Sequence, residues 1–89
     1  MRVKTSLDWD RVSISLISQM HAAPASARRD LAKMLGHITD LVKELSLEEI
    51  ELRRYQKFSS PRSERLLAEI NNLINEFEKW LMFAQLSLG

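Results

Sequence analysis

The sequence predicts an all-α fold: a long antiparallel helical hairpin preceded by a short N-terminal helix, closing as a three-helix bundle or as a helical bundle of two chains. Three observations carry that expectation. Leu, Glu, Lys, Arg and Ala dominate, and Gly36, Gly89, Pro24 and Pro61 are the only glycines and prolines among 89 residues, so helices should be long and rarely broken. Apolar residues recur at spacings of three and four along most of the chain. The two prolines stand between the periodic stretches, where each can open a helix.

The first helix is expected over about 7–21. Thr5 or Ser6 can cap it, and Asp8 and Asp10 put negative charge in its first turn, where the helix dipole favours it. Trp9, Val12, Leu16 and Met20 share one stripe. Val12 to Leu16 also alternates as a strand does, but a lone strand would leave its backbone groups unpaired, so the helix is preferred. Pro24 breaks the chain after His21 and Ala23.

The second helix is expected over about 25–57, with Leu31, Leu35, Ile38, Val42, Leu45 and Leu52 in heptad-like register. One fault interrupts it: Glu48 occupies a seam position, while Ser46 and Glu49 read as a capping box. Two readings stay open, a continuous helix, which the long stripe favours, or a restart near Ser46. Ser59 or Ser60 then caps a third helix over about 61–87, with Pro61 at its first position. Here Leu66, Ile70, Leu73, Phe77, Trp80 and Ala84 form an a/d seam, and Leu67, Ile74, Leu81 and Leu88 form a second line beside it. The resulting face is wide enough to pack against two neighbours. At 1.5 Å per residue the two long helices span roughly 50 and 40 Å, and their short connection makes them antiparallel.

Composition bounds the function. With 45% apolar and 28% charged residues the chain is expected to fold as one helical domain over 1–89. A formal net charge of +1 supplies no global pull toward nucleic acid or membrane. There is no cysteine, hence no disulfide, thiolate metal site or cysteine nucleophile. Asp8, Asp10 and Arg11 interrupt any leader-like apolar run, and no stretch approaches the roughly 20 apolar residues of a membrane span. The expected location is cytoplasmic.

Little in the sequence points to chemistry. His21 and His37 do not share a helical spacing, and neither HExxH nor Glu-x-x-His occurs, so no metal site is expected. The glutamates, Glu48 excepted, mostly avoid the apolar stripes and read as solvated partners of Lys and Arg. Ser13, Ser15, Ser18, Ser59, Ser60 and Ser63 lack a nucleophile setting, and two isolated glycines build no phosphate loop. No catalytic residue, cofactor or enzyme activity is expected.

Charge is uneven. Asp40, Glu44, Glu48, Glu49 and Glu51 stand against Lys43 over 40–51, net −4; Arg53, Arg54, Lys57, Arg62 and Arg65 stand against Glu64 over 53–65, net +4. In a hairpin those five cations crowd its tip beside Tyr55 and Phe58, an electrostatic footprint for nucleic acid or an acidic partner. Dipole complementarity and i,i+4 pairing with the upstream acids account for the same cations without a ligand.

Ser60-Pro61 and the run Glu69-Ile70-Asn71-Asn72-Leu73-Ile74-Asn75-Glu76-Phe77 look somewhat like the second helix of the small helical-hairpin phosphatases that act on sporulation response regulators. That family's signature serine and aspartate correspond here to Leu67 and Asn71, so its activity is not implied.

The functional expectation is a non-enzymatic protein–protein interaction module, a small regulator, adaptor or chaperone-like subunit. It would pair with itself or another protein through Leu66, Ile70, Leu73, Ile74, Phe77, Trp80 and Leu81. The alternative is a nucleic-acid-binding regulator that uses the basic corner at 53–65.

Overall fold

A computed structural model describes residues 1–86 of the chain. Three helices follow one another: α1 (Asp8–His21), α2 (Ala25–Arg54) and α3 (Pro61–Leu86). The long pair α2 and α3 form the antiparallel hairpin, and α1 packs on it mainly against α2. The molecule measures 52 × 18 × 17 Å. Among the described residues no helix is long and apolar enough to cross a membrane.

Each helix end has a local cause. Leu7 precedes α1 without a side-chain cap, so neither Thr5 nor Ser6 plays the expected role. Asp8 instead turns back: its Oδ2 accepts the backbone N–H groups of Lys4 (2.8 Å) and Thr5 (3.3 Å). Those two hydrogen bonds hold the Asp8 carboxyl below its ordinary range. Stability from this turn is therefore present above the unfolded-state carboxyl value and is lost as pH falls through the depressed one.

α2 runs through Ser46 without a break, which decides between the two sequence readings. Its end comes at Arg54, not Lys57. Gln56 adopts a left-handed backbone (φ 54°), and the N–H groups of Lys57 and Gln56 fold back to the carbonyls of Leu52 (2.8 Å) and Arg53 (3.1 Å). This is a Schellman closure with glutamine where glycine is commonest. Leu52 is also the last buried apolar residue of α2, so further helix would bury nothing more.

The start of α3 matches the expectation from Ser60 and Pro61. Ser63 N–H donates to Ser60 Oγ (3.0 Å) and Ser60 N–H donates to Ser63 Oγ (2.9 Å), a reciprocal cap in which a serine replaces the usual glutamate. Ser63 is buried as a result. The helix is described to Leu86, so the expected end at 87 and the Leu88 position lie outside the described residues.

The core is one cluster drawn from all three helices. Trp9, Val12 and Leu16 come from α1, Leu31, Leu35, Ile38, Val42 and Leu45 from α2, and Leu66, Ile70, Ile74, Phe77 and Leu81 from α3. Full burial of side chains of this size stabilises by about 1.5–3 kcal/mol each. The buried line on α3 differs from the expected seam: Ile74 and Leu81 take the places assigned to Leu73 and Trp80. The reason is the third layer. α3 faces α2 and, beside it, the N-terminal segment, where Val3 is buried and joined to Asn71, so the buried arc turns toward Ile74 and Leu81.

The clasp on Val3 is the feature with least warning in the sequence. Val3 N–H donates to Asn71 Oδ1 (2.8 Å) and Asn71 Nδ2 donates to Val3 O (2.9 Å), so one side chain satisfies both backbone groups. Glu49 fixes the same segment one turn before α1: its carboxylate accepts the N–H of Ser6 at 3.0 Å and also the Ser6 hydroxyl. Glu49 thus serves tertiary structure, not the capping box that Ser46 suggested.

Candidate functional site

Two surfaces at opposite ends of the hairpin survive as candidates. The residues expected to form a partner-binding stripe on α3 divide between core and surface. Leu66, Ile70, Ile74, Phe77 and Leu81 are buried within the chain's own bundle, and Leu73 is half-buried. Trp80 alone of the seven is exposed, at 51%.

Around Trp80 the sequence periodicity missed further exposed apolar groups. Met82, Phe83 and Leu86 also face solvent. Trp80, Phe83 and Ala84 line a depression of about 390 Å³ with Pro24, Ala27 and Leu31 from the start of α2. The depression lies between the start of α2 and the last turns of α3. Asp30 and Ser26 supply the polar margin. Such a depression offers apolar area and two aromatic rings, which suits protein contact.

At the other end the structure splits the basic corner. All five cations are exposed. Arg54 Nη1 lies 3.4 Å from Glu51 Oε1, and Arg62 Nε lies 3.9 Å from Glu48 Oε2. Pairs this exposed contribute at most about 1 kcal/mol. Glu48, at the fault in the α2 seam, is half-buried and also accepts the Ser60 hydroxyl at 2.9 Å, so it ties α2 to the start of α3. Arg53, Lys57 and Arg65 have no ion pair among the described residues. Arg53 and Lys57 meet Lys4 along a cleft of about 350 Å³, whereas Arg54, Arg62 and Arg65 do not line it.

The remaining chemistry-bearing residues stay dispersed. His21 and His37 are exposed on different helices. Among the described residues no three His, Asp or Glu side chains gather as a metal site, and no buried polar side-chain atom lacks a partner. Asn71, which takes the place of an aspartate in the phosphatase resemblance, spends its amide on Val3 and on the Leu67 carbonyl (3.0 Å). Comparison of the chain with protein families, with characterised proteins and with solved structures finds no match.

Proposed function

We propose that the protein is a non-enzymatic helical interaction module, a small regulator, adaptor or chaperone-like subunit acting in the cytoplasm, and that it docks a protein partner through the open end of α3. One observation supports this above the others: Trp80, Met82, Phe83 and Leu86 remain exposed at the end of a helix whose other large apolar side chains are mostly withdrawn. Grouped exposed apolar side chains on a small protein mark contact surfaces, and aromatic anchors dominate their energetics. The stripe expected from sequence is in this reading shortened to its last turns.

A second copy of the chain is the first partner to test. Sedimentation velocity and light scattering on the full chain should show self-association that Trp80→Glu and Phe83→Glu abolish, with helical circular dichroism unchanged because both side chains are exposed. A wild-type chain that stays monomeric, together with no protein captured in its native cell by a photo-crosslinker at position 83, would sink the reading.

Nucleic-acid binding at the tip is the second reading, and it rests on the three cations that lack ion pairs, Arg53, Lys57 and Arg65. It requires a mobility shift of DNA or RNA at low salt that weakens steeply as salt rises and disappears in Arg53→Ala/Arg65→Ala.

A further inference from the structure

The cleft at the hairpin tip has a composition that the interaction reading above does not use. Its floor is apolar, made by Leu52 and Leu67 over the fully buried Leu45. Leu52 is buried yet stands apart from the main core cluster, so its burial belongs to the tip. Leu7 and Phe58 flank the mouth with their side chains exposed, Phe58 at 104%. Lys4, Arg53 and Lys57 stand on the rim with no side-chain ion pair or hydrogen bond among the described residues. Of the two carboxylates in the cleft, Glu49 is already engaged by Ser6, which leaves Glu64 against three cations. The edge adds one more property. The backbone N–H and C=O groups of Phe58 and Ser59, in the non-helical turn between α2 and α3, have no hydrogen-bond partner among the described residues.

We infer that this cleft docks a peptide segment of a protein partner in which a large apolar side chain is flanked by carboxylates. Each part of the cleft selects a part of that ligand. The leucine floor takes the apolar side chain; the excess of unpaired cations takes the carboxylates; and the open backbone of Phe58 and Ser59 takes main-chain groups, as sheet-edge recognition does. A nucleic acid would satisfy the cations but leave the floor unused, with a single aromatic ring to stack on. A fatty acid would fill the floor and one cation, leaving the backbone edge unused. Along α3, at 1.5 Å per residue, the cleft residues Ser63 and Leu67 lie roughly 20–26 Å from Trp80, so the site stands or falls independently of the open end of α3.

The test is a nuclear magnetic resonance titration of the uniformly labelled full chain. The probe is the peptide acetyl-Asp-Glu-Leu-Phe-Glu-Asp-amide, with a lysine-flanked version, a serine-centred version, dodecanoate and a single-stranded oligothymidylate as competing arms. The expected result is saturable shifts confined to the 4–7, 45–59 and 63–67 regions, strongest with the acidic apolar peptide. Arg53→Glu/Lys57→Glu should weaken its binding about tenfold or more, as loss of two facing charges does. Phe58→Ser, at a side chain that contributes no packing, should weaken it without altering the fold, and decides the matter if the charge-reversed variant does not fold. Equal binding of the acidic and lysine-flanked peptides overturns the inference, as does no shift at millimolar peptide. Tighter binding of oligothymidylate assigns the site to nucleic acid, tighter binding of dodecanoate assigns it to a lipid, and either result overturns it too.

Discussion

The tip of the hairpin and its open end are built from the same two helices, yet they leave opposite chemistry on the surface. At the tip the polar groups of the two helix ends are settled within the chain: Ser60 and Ser63 cap each other, Glu48 holds Ser60, and Gln56 closes the carbonyls of α2. At the open end the withdrawn side is apolar and so is the exposed side, where Trp80 and Phe83 sit beside Pro24 and Ala27. Every helix end leaves backbone donors or acceptors to be satisfied, and at the tip serine, glutamate and glutamine do so within the chain. Polar capping is therefore explained at the tip by folding alone, and the aromatic pair at the open end is not.

That contrast can be broken most forcefully at Phe77 and Phe83, less than two turns apart on α3. Phe77 is fully buried and Phe83 is exposed. Phe77→Ala should cost about 3–5 kcal/mol of stability in urea unfolding, while Phe83→Ala should change it by less than about 0.5 kcal/mol. Equal losses would mean that the open end is packed as the centre is, and that it has no free face to offer.

Asn71→Ala probes what separates the two ends. It removes the partners that the Val3 N–H and C=O have among the described residues, so a loss of about 1–3 kcal/mol is expected, with faster amide exchange over residues 1–7. The same variant should loosen the Lys4 to Leu7 wall of the tip cleft and leave the open end untouched.

The smallest effect has the opposite sign. Gln56→Gly relieves a left-handed backbone at the tip and should raise stability by about 0.5–1 kcal/mol, less any loss from a more flexible unfolded chain. A destabilised Gln56→Gly variant would show that the Gln56 side chain contributes more than its strain costs.

How far the sequence could be read follows from which interactions are local. The three helices, the corner at Pro61 and the buried identity of Leu31, Leu35, Ile38, Val42, Leu45 and Leu52 were all legible from periodicity and turn residues, because a helix displays its neighbours every third and fourth residue. The continuity of α2 through Ser46 was favoured by the long apolar stripe and left open by the capping box, a local signal that packing overrides, since Glu49 holds Ser6. Of the candidate site residues, the cations could be placed at the tip, but not sorted into those paired by Glu48 and Glu51 and those facing the cleft.

The set of helices, the hairpin and the presence of an apolar face on α3 all follow from spacing along one chain. Tertiary structure alone decided which side of that face is spent. The N-terminal segment, pinned through Val3 and Asn71 across 68 positions, turned the buried arc toward Ile74 and Leu81 and left Trp80 and Phe83 outside. No periodicity reports a contact between an N-terminal backbone segment and one amide side chain that far along the chain, because its cost and its gain appear only when the two are brought together.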